Sequence, residues 1–247
     1  MNKFNSFRKI QSEKNFKSKV LKDAAAKWGN ISRKKQYPYM FDWLGLPIIQ
    51  DPQDICYLQE IIWETKPKII IECGIARGGS LILYASIAKS YSYKNKKIKI
   101  IGIDNKIKKN NYRNIMKHPL SNNITLINGS STSLNVFKKL KNIIAEEKNI
   151  LVILDSNHTE DHVLKELYMY SPLIKKGKYI FVMDTGIQFA DPKSFKNKRP
   201  WSQNNNPYTA VKKFLKTKIG KKFKIERKYE KRFIITSSPN GLLKRIN

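Results

Sequence analysis

Residues 68–80, Lys-Ile-Ile-Ile-Glu-Cys-Gly-Ile-Ala-Arg-Gly-Gly-Ser, limit what this chain can fold into more than any other stretch. Three β-favouring residues, Ile69, Ile70 and Ile71, lead to Glu72. A turn punctuated by Gly74, Gly78 and Gly79 follows, and then residues 81–88 carry apolar positions at helical spacing. The pattern predicts strand, tight loop and helix. The glycines permit backbone angles and close approaches that a side chain would block, and Ser80 can cap the helix. Glu72 falls near the C-terminal end of the strand, where open α/β sheets bind ligands, and a carboxylate there suits a cation. On these residues alone the unit is either a cofactor cradle or a glycine turn with no ligand.

The spacing separates cofactor classes. A dinucleotide site wants G-x-G-x-x-G and a phosphate loop wants G-x-x-x-x-G-K-[ST]; Gly74-x-x-x-Gly78-Gly79-Ser80 fits neither. An acidic residue followed by this glycine loop resembles the first motif of S-adenosylmethionine (SAM) methyltransferases.

Strand and helix patterns alternate through the rest of the chain. Further strands are expected at 98–104, 123–128, 150–155 and 177–184, with a closing pair at 223–227 and 232–236. Helices are expected at 51–63, 81–88, 134–147, 160–170 and 208–215, the first opened by Pro52 and closed by Lys66-Pro67. This alternation implies an α/β fold, a Rossmann-like, doubly wound, mostly parallel seven-stranded sheet with helices on both faces. Residues 1–50 read as an N-terminal extension or lid, with one amphipathic helix over 14–27 and an ordered loop over 37–52 whose aromatics either line a pocket or pack in the core. Residues 51–247 form the main domain, and the long stretch 185–206 has the length of a lid over its ligand edge.

Four of the strands finish in acids, Glu72, Asp104, Asp155 and Asp184, all expected at one edge of the sheet. An acid at Asp104 can hold two ribose hydroxyls. Ser130, in the small polar run 129–133, can bond an adenine edge or belong to the cap of the next helix. Asp155-Ser-Asn-His158 is the sharpest constellation: Asp155 offers oxygen to a hard divalent cation, and His158 can take a proton from a hydroxyl. His162, one helical turn on, is expected at the surface.

Composition adds bounds. Cys56 and Cys73 have neither disulfide-framework nor zinc spacing, which fits a reducing compartment. The N-terminus never opens into an apolar signal core, and the longest apolar run, 150–154, is too short to span a bilayer. A soluble, cytoplasmic protein is expected, and a homo-oligomer is compatible. The formal net charge of +30 can signal nucleic acid or an anionic surface. The lysines are spread along the whole chain, however, and abundant Ile, Asn and Lys equally reflect AT-rich codons.

Together these residues resemble the cephalosporin hydroxylase and rhamnosyl O-methyltransferase family. The match runs through Trp28-Gly29, Gln59 to Ile62, Ile71 to Gly74 with Gly78 to Ser80, Ile103-Asp104, Gly129 to Ser131, Asp155 to His158, Glu166-Leu-x-x-Tyr170, Gly177-x-Tyr179, Asp184-Thr185, 207–215 and Thr236 to Gly241. The resemblance implies the class I methyltransferase fold and O-methyl transfer to a sugar, glycan or secondary metabolite. By the same implication Glu72, Gly74, Gly78, Gly79, Ser80, Asp104 and Ser130 hold SAM, Asp155 and Asp184 bind Mg²⁺, and His158 is the catalytic base beside Asp155. One departure stands out: the family often carries an acidic pair at the end of the fifth strand, and the first member here is Met183. Two alternatives remain, an RNA-binding methyltransferase drawing on the charge and a non-catalytic SAM-fold scaffold. The Asn/Asp-Pro-Pro-Tyr signature of base-flipping amino methylation is missing after the fourth strand, and there is no spacing suggestive of an iron triad.

Overall fold

The computed structural model describes residues 2–92, 98–195 and 198–247. The N-terminal segment comprises α1 (Lys3–Lys17), α2 (Lys19–Lys34) and the hairpin strands β1 (Phe41–Trp43) and β2 (Leu46–Ile48). Then follow α3 (Pro52–Thr65), β3 (Ile69–Cys73), α4 (Gly79–Tyr91), β4 (Lys99–Asp104), α5 (Lys109–Lys117), β5 (Ile124–Asn128) and α6 (Leu134–Ile144). The second half contains β6 (Ile150–Leu154), α7 (Glu160–Tyr170), β7 (Tyr179–Val182), α8 (Pro207–Leu215), β8 (Phe223–Ile225) and β9 (Leu242–Arg245).

The main sheet has seven strands in the order β5-β4-β3-β6-β7-β9-β8. The pairs among β5, β4, β3, β6 and β7 are parallel, and β9 runs antiparallel to both β7 and β8. The chain builds outward from β3 through β4 to β5 and then returns to place β6 on the other side. That reversal opens a crevice at the carboxyl ends of β3 and β6. Strand β6 is buried at every position, as a central strand covered on both faces requires.

Alternation along the strands sorts side chains into two cores. Ile69, Ile71 and Cys73 pack with Leu140, Leu167 and Phe214 from α6, α7 and α8. Ile70, Ile100, Leu151 and Phe181 pack with Tyr57 and Leu58 of α3 and with Ile82 and Leu83 of α4. The period of two therefore sends Glu72 toward α4, the same side as Ile70. By the same parity Met183 joins Phe181 in the α3–α4 core, 1% exposed, with the Ser238 hydroxyl 3.6 Å from its sulfur.

Three local expectations are corrected. The helix expected over 14–27 is two helices broken at Ser18, which closes α1 and accepts the Leu21 N–H through its hydroxyl to open α2. The stretch 37–52 is not all loop: Leu44 and Gly45 both adopt positive φ, which makes the tight turn of the β1–β2 hairpin. The closing strand expected at 232–236 is Leu242–Arg245 instead, because Phe233 stacks on Tyr57 at 5.3 Å and Thr236 bonds to Asp54, whereas Leu242 and Leu243 are fully buried beside β7. The 185–206 stretch contains short 3-10 turns at Thr185–Phe189 and Pro192–Ser194, with residues 196–197 outside the described part.

Candidate active site

The cofactor side of the site is a cavity of about 460 Å³ at the carboxyl edge, within the size range of ligand clefts. Gly74, Gly79 and Ser80 of the loop after β3 line it, together with Asp104 and Ser130. Gly74 has φ +90°, and a Cβ there would fall 2.1 Å from the Asp155 carbonyl oxygen, so the glycine is dictated by contact between two loops of the chain itself. Asp104 accepts the Ile75 N–H at 3.1 Å and the Lys106 N–H at 3.0 Å, which fixes its carboxylate at the cavity wall. Ser130 shares a hydrogen bond with Thr132 at 3.0 Å, while Ser133 takes the N-cap position of α6 without a side-chain bond.

Glu72 and Gly78 of the expected cofactor set do not line the cavity, and Ser80, which does, directs its hydroxyl elsewhere. Glu72 is 1% exposed and does not line the cavity; its carboxylate accepts the Ser80 hydroxyl at 2.7 Å and the Tyr84 hydroxyl at 2.8 Å. Ser80 therefore does not cap α4, whose N-cap is Gly78. Burial pushes the Glu72 carboxyl up to about 7 although both bonds pull it down. Glu72 locks the glycine loop to α4 rather than reaching into the cavity.

Asp155, His158 and Asp184 present one ligand atom each, and those atoms lie within 4.8 Å of one another. His158 Nε2 is 3.3 Å from Asp184 Oδ2, and the imidazole meets the Trp201 ring edge-on with centroids 4.8 Å apart. Gln50, at the end of the N-terminal segment, donates its amide to Asp155 at 3.0 Å. Asp155 is half-buried, at the wall that the two cavities share. That burial, then the charges of Asp184 and Glu72, hold its pKa well above the usual range against the pull of Gln50. Two converging carboxylates and an imidazole, one carboxylate strained by its neighbours' charge, fit a hard divalent cation that would relieve the repulsion. Met183, turned into the core, adds no oxygen to that set.

The sequence missed several neighbours. His162 lines the cavity instead of lying at the surface, with Nε2 3.1 Å from the Ser131 hydroxyl and 3.4 Å from Glu166. Glu166 is fully buried and accepts the Ser131 and Ser156 hydroxyls at 2.5 and 2.6 Å. The i, i+4 pairing of His162 with Glu166 on the inward face of α7 is the signal that could have found them. A second cavity of about 240 Å³ shares Asp155, His158 and Asp184 with the first and continues between Tyr39, Arg33, Phe195 and Trp201. Its walls brace one another: Arg33 donates to Ser194 at 3.2 Å, and Asn30 accepts the Asp191 N–H at 3.1 Å.

The strand order, the single reversed strand next to the outer edge, and a glycine loop facing a row of acids define a class I SAM-dependent methyltransferase. The chain belongs to the rhamnosyl O-methyltransferase/CmcI family, whose family model matches residues 35–246. It is 28% identical over 204 residues to a rhamnosyl O-methyltransferase of Mycobacterium bovis, spanning 81% of this chain and 76% of the relative. Among solved structures it is similar in fold to a CmcI Mg–SAM structure, with TM-score 0.56 and 20% identity over 85% of this chain and 78% of that one. An O-methyltransferase from Bacillus cereus in complex with SAH shares the fold at TM-score 0.52 and 12% identity, over 70% and 72% of the two chains. Among the described residues no helix is long and apolar enough to cross a membrane.

Proposed function

We propose that this enzyme methylates a hydroxyl of a sugar or sugar-bearing metabolite, with Mg²⁺ assisting and His158 as the base. The observation that carries the reading is the meeting of the two cavities at Asp155, His158 and Asp184. One cavity has the loop, the acid and the serines suited to SAM; the other has aromatic walls suited to a sugar face.

When bound, SAM supplies an electrophilic methyl group and Mg²⁺ supplies positive charge beside the acceptor oxygen, so the chain's own task is alignment and proton removal. On this reading Asp104 accepts hydrogen bonds from the ribose hydroxyls and Ser130 meets the adenine, a role supported by both lining the cavity. Asp155 and Asp184 would hold the metal, with Gln50 keeping the Asp155 carboxylate aimed. His158 takes the hydroxyl proton on its imidazole, whose Nε2 lies 3.3 Å from Asp184 Oδ2. Trp201 packs against the imidazole and, with Tyr39, limits water at the point of transfer. On this reading residues 1–50 form a cover over the methyltransferase domain of residues 51–247, and Tyr39 and Gln50 are where the cover reaches the site.

The test is incubation of the enzyme with isotopically labelled SAM and a panel of rhamnosides and other glycosides. A labelled methyl group on a sugar oxygen is expected, and methylation confined to RNA in the same assay would replace this reading.

A further inference from the structure

Asp54 lines neither cavity, yet it is a fully buried carboxylate in the first turn of α3. Its two oxygens accept the Thr236 hydroxyl and, at 2.8 Å, the Ser237 N–H. The segment held there grips the end of β7 at three successive residues. The Asp184 N–H donates to the Ser238 hydroxyl oxygen at 3.0 Å, the Thr185 hydroxyl donates to the Pro239 carbonyl at 2.6 Å, and the Gly186 N–H donates to the Ser237 carbonyl at 2.8 Å. The approach is close enough that a Cβ on Gly186 would lie 2.7 Å from the Ser237 carbonyl oxygen. Asp184 itself sits at φ 56°, ψ 23°, a left-handed conformation uncommon for a residue with a side chain, though Asp adopts it more readily than most, and these three bonds support it.

We infer that Asp54 is a positioning residue for the reaction: through Thr236 and Ser237 it fixes the 236–239 segment that holds Asp184 left-handed and aims its carboxylate at Asp155 and His158. The inference rests on the reading of Asp184 as a metal ligand. Met183 makes the aim consequential, because among the described residues the cluster holds two carboxylates, Asp155 and Asp184, and a misdirected Asp184 removes one of them. Asparagine at position 54 has one acceptor oxygen in place of two and no charge, so the Thr236 hydroxyl keeps a partner only by turning to accept from the amide. Valine at position 236 keeps the shape of threonine and loses the hydroxyl.

The experiment titrates Mg²⁺ and, separately, SAM into the full chain by calorimetry, for the wild type, Asp54→Asn, Thr236→Val and Asp184→Asn. Asp54→Asn and Thr236→Val are expected to bind Mg²⁺ about tenfold to a hundredfold more weakly, as partners of metal ligands do when lost. Their SAM affinity is expected to stay within about twofold of wild type, a change of less than 0.5 kcal/mol. Their turnover is expected to recover in excess Mg²⁺, a rescue that general loss of structure would not allow. If Asp184→Asn abolishes Mg²⁺ binding while Thr236→Val and Asp54→Asn bind it as the wild type does, the inference is overturned. If Asp184→Asn itself binds Mg²⁺ normally, the metal reading fails and the inference goes with it. Should Asp54→Asn not fold, Thr236→Val decides alone.

Discussion

Nε2 of His158 lies 3.3 Å from Oδ2 of Asp184, which joins the loop entering α7 to the end of β7 across the mouth of two cavities. The pairing gives one histidine a carboxylate partner at the point where a hydroxyl and a methyl donor can meet. The His158 side chain is 16% exposed and lines both cavities.

Replacing His158 by alanine is expected to lower methyl transfer by roughly 10²–10⁴-fold, the usual size of a general-base contribution. SAM binding should be little changed, since the imidazole stands where the two cavities meet and is not among the residues read as the SAM set. Turnover with labelled SAM and calorimetric SAM titration check the two halves separately, and normal turnover would remove His158 from catalysis.

Chelation is expected to stop the wild-type enzyme, with activity returning on addition of Mg²⁺. Asp184→Asn should shift the Mg²⁺ concentration for half-maximal activity upward by about tenfold or more. An enzyme indifferent to EDTA at any substrate concentration would rule out the metal.

Glu72 predicts a pH effect on stability. Its carboxyl is raised from 4.5 to about 7 by burial, so the fold favours the neutral form. The stabilisation is complete below about pH 4.5 and is lost as pH rises through about 7. Its size is roughly 3 kcal/mol, the cost of ionising a carboxyl that burial holds neutral to that extent. Thermal melts of Glu72→Gln should therefore show a flatter pH dependence across that window and, at pH 8, a Tm at or above wild type. Parallel curves for the two proteins would show that Glu72 is not held neutral.

Gly74→Ala is expected to cost about 2–4 kcal/mol, combining a left-handed backbone with a Cβ that would overlap the Asp155 carbonyl. Gly177→Ala is the matched control, because Gly177 also has positive φ, +82°, but no atom lies within 4 Å of its Cβ position; a loss of about 1 kcal/mol is expected there. Denaturant midpoints compare the two, and equal losses would mean the loop contact at Gly74 carries no weight.

Much of this arrangement can be read in the chain before folding. Strands with continuous apolar runs end in Asp104, Asp155 and Asp184, and parallel pairing necessarily gathers those ends at one edge. What the linear pattern hides is direction and partner. Glu72 looks like its fellow acids, yet the pleat turns it toward α4, where Ser80 and Tyr84 take both its oxygens. His162 looks like a surface residue until α7 is rotated to bury Glu166 beneath Ser131. Gln50 and Trp201 belong to irregular segments with no periodicity, so nothing local announces that they reach Asp155 and His158. The strand at 242–245 is obscured because the equally apolar stretch at 233–235 precedes it, and only the anchoring of Phe233 and Thr236 on α3 decides between them.

The contact between Gly74 and the Asp155 carbonyl leaves no slack between the loop that would carry the methyl donor and the loop that bears the acid. Those two loops must be inherited as a unit, since lengthening either would displace the other. Tyr39, Phe195 and Trp201 stand on segments outside the main sheet, which brace one another through Arg33 and Ser194. A lineage built on this scaffold can exchange those segments as a braced pair while keeping the two loops, and chimeras that replace residues 33–39 and 195–201 together are the places to redirect it.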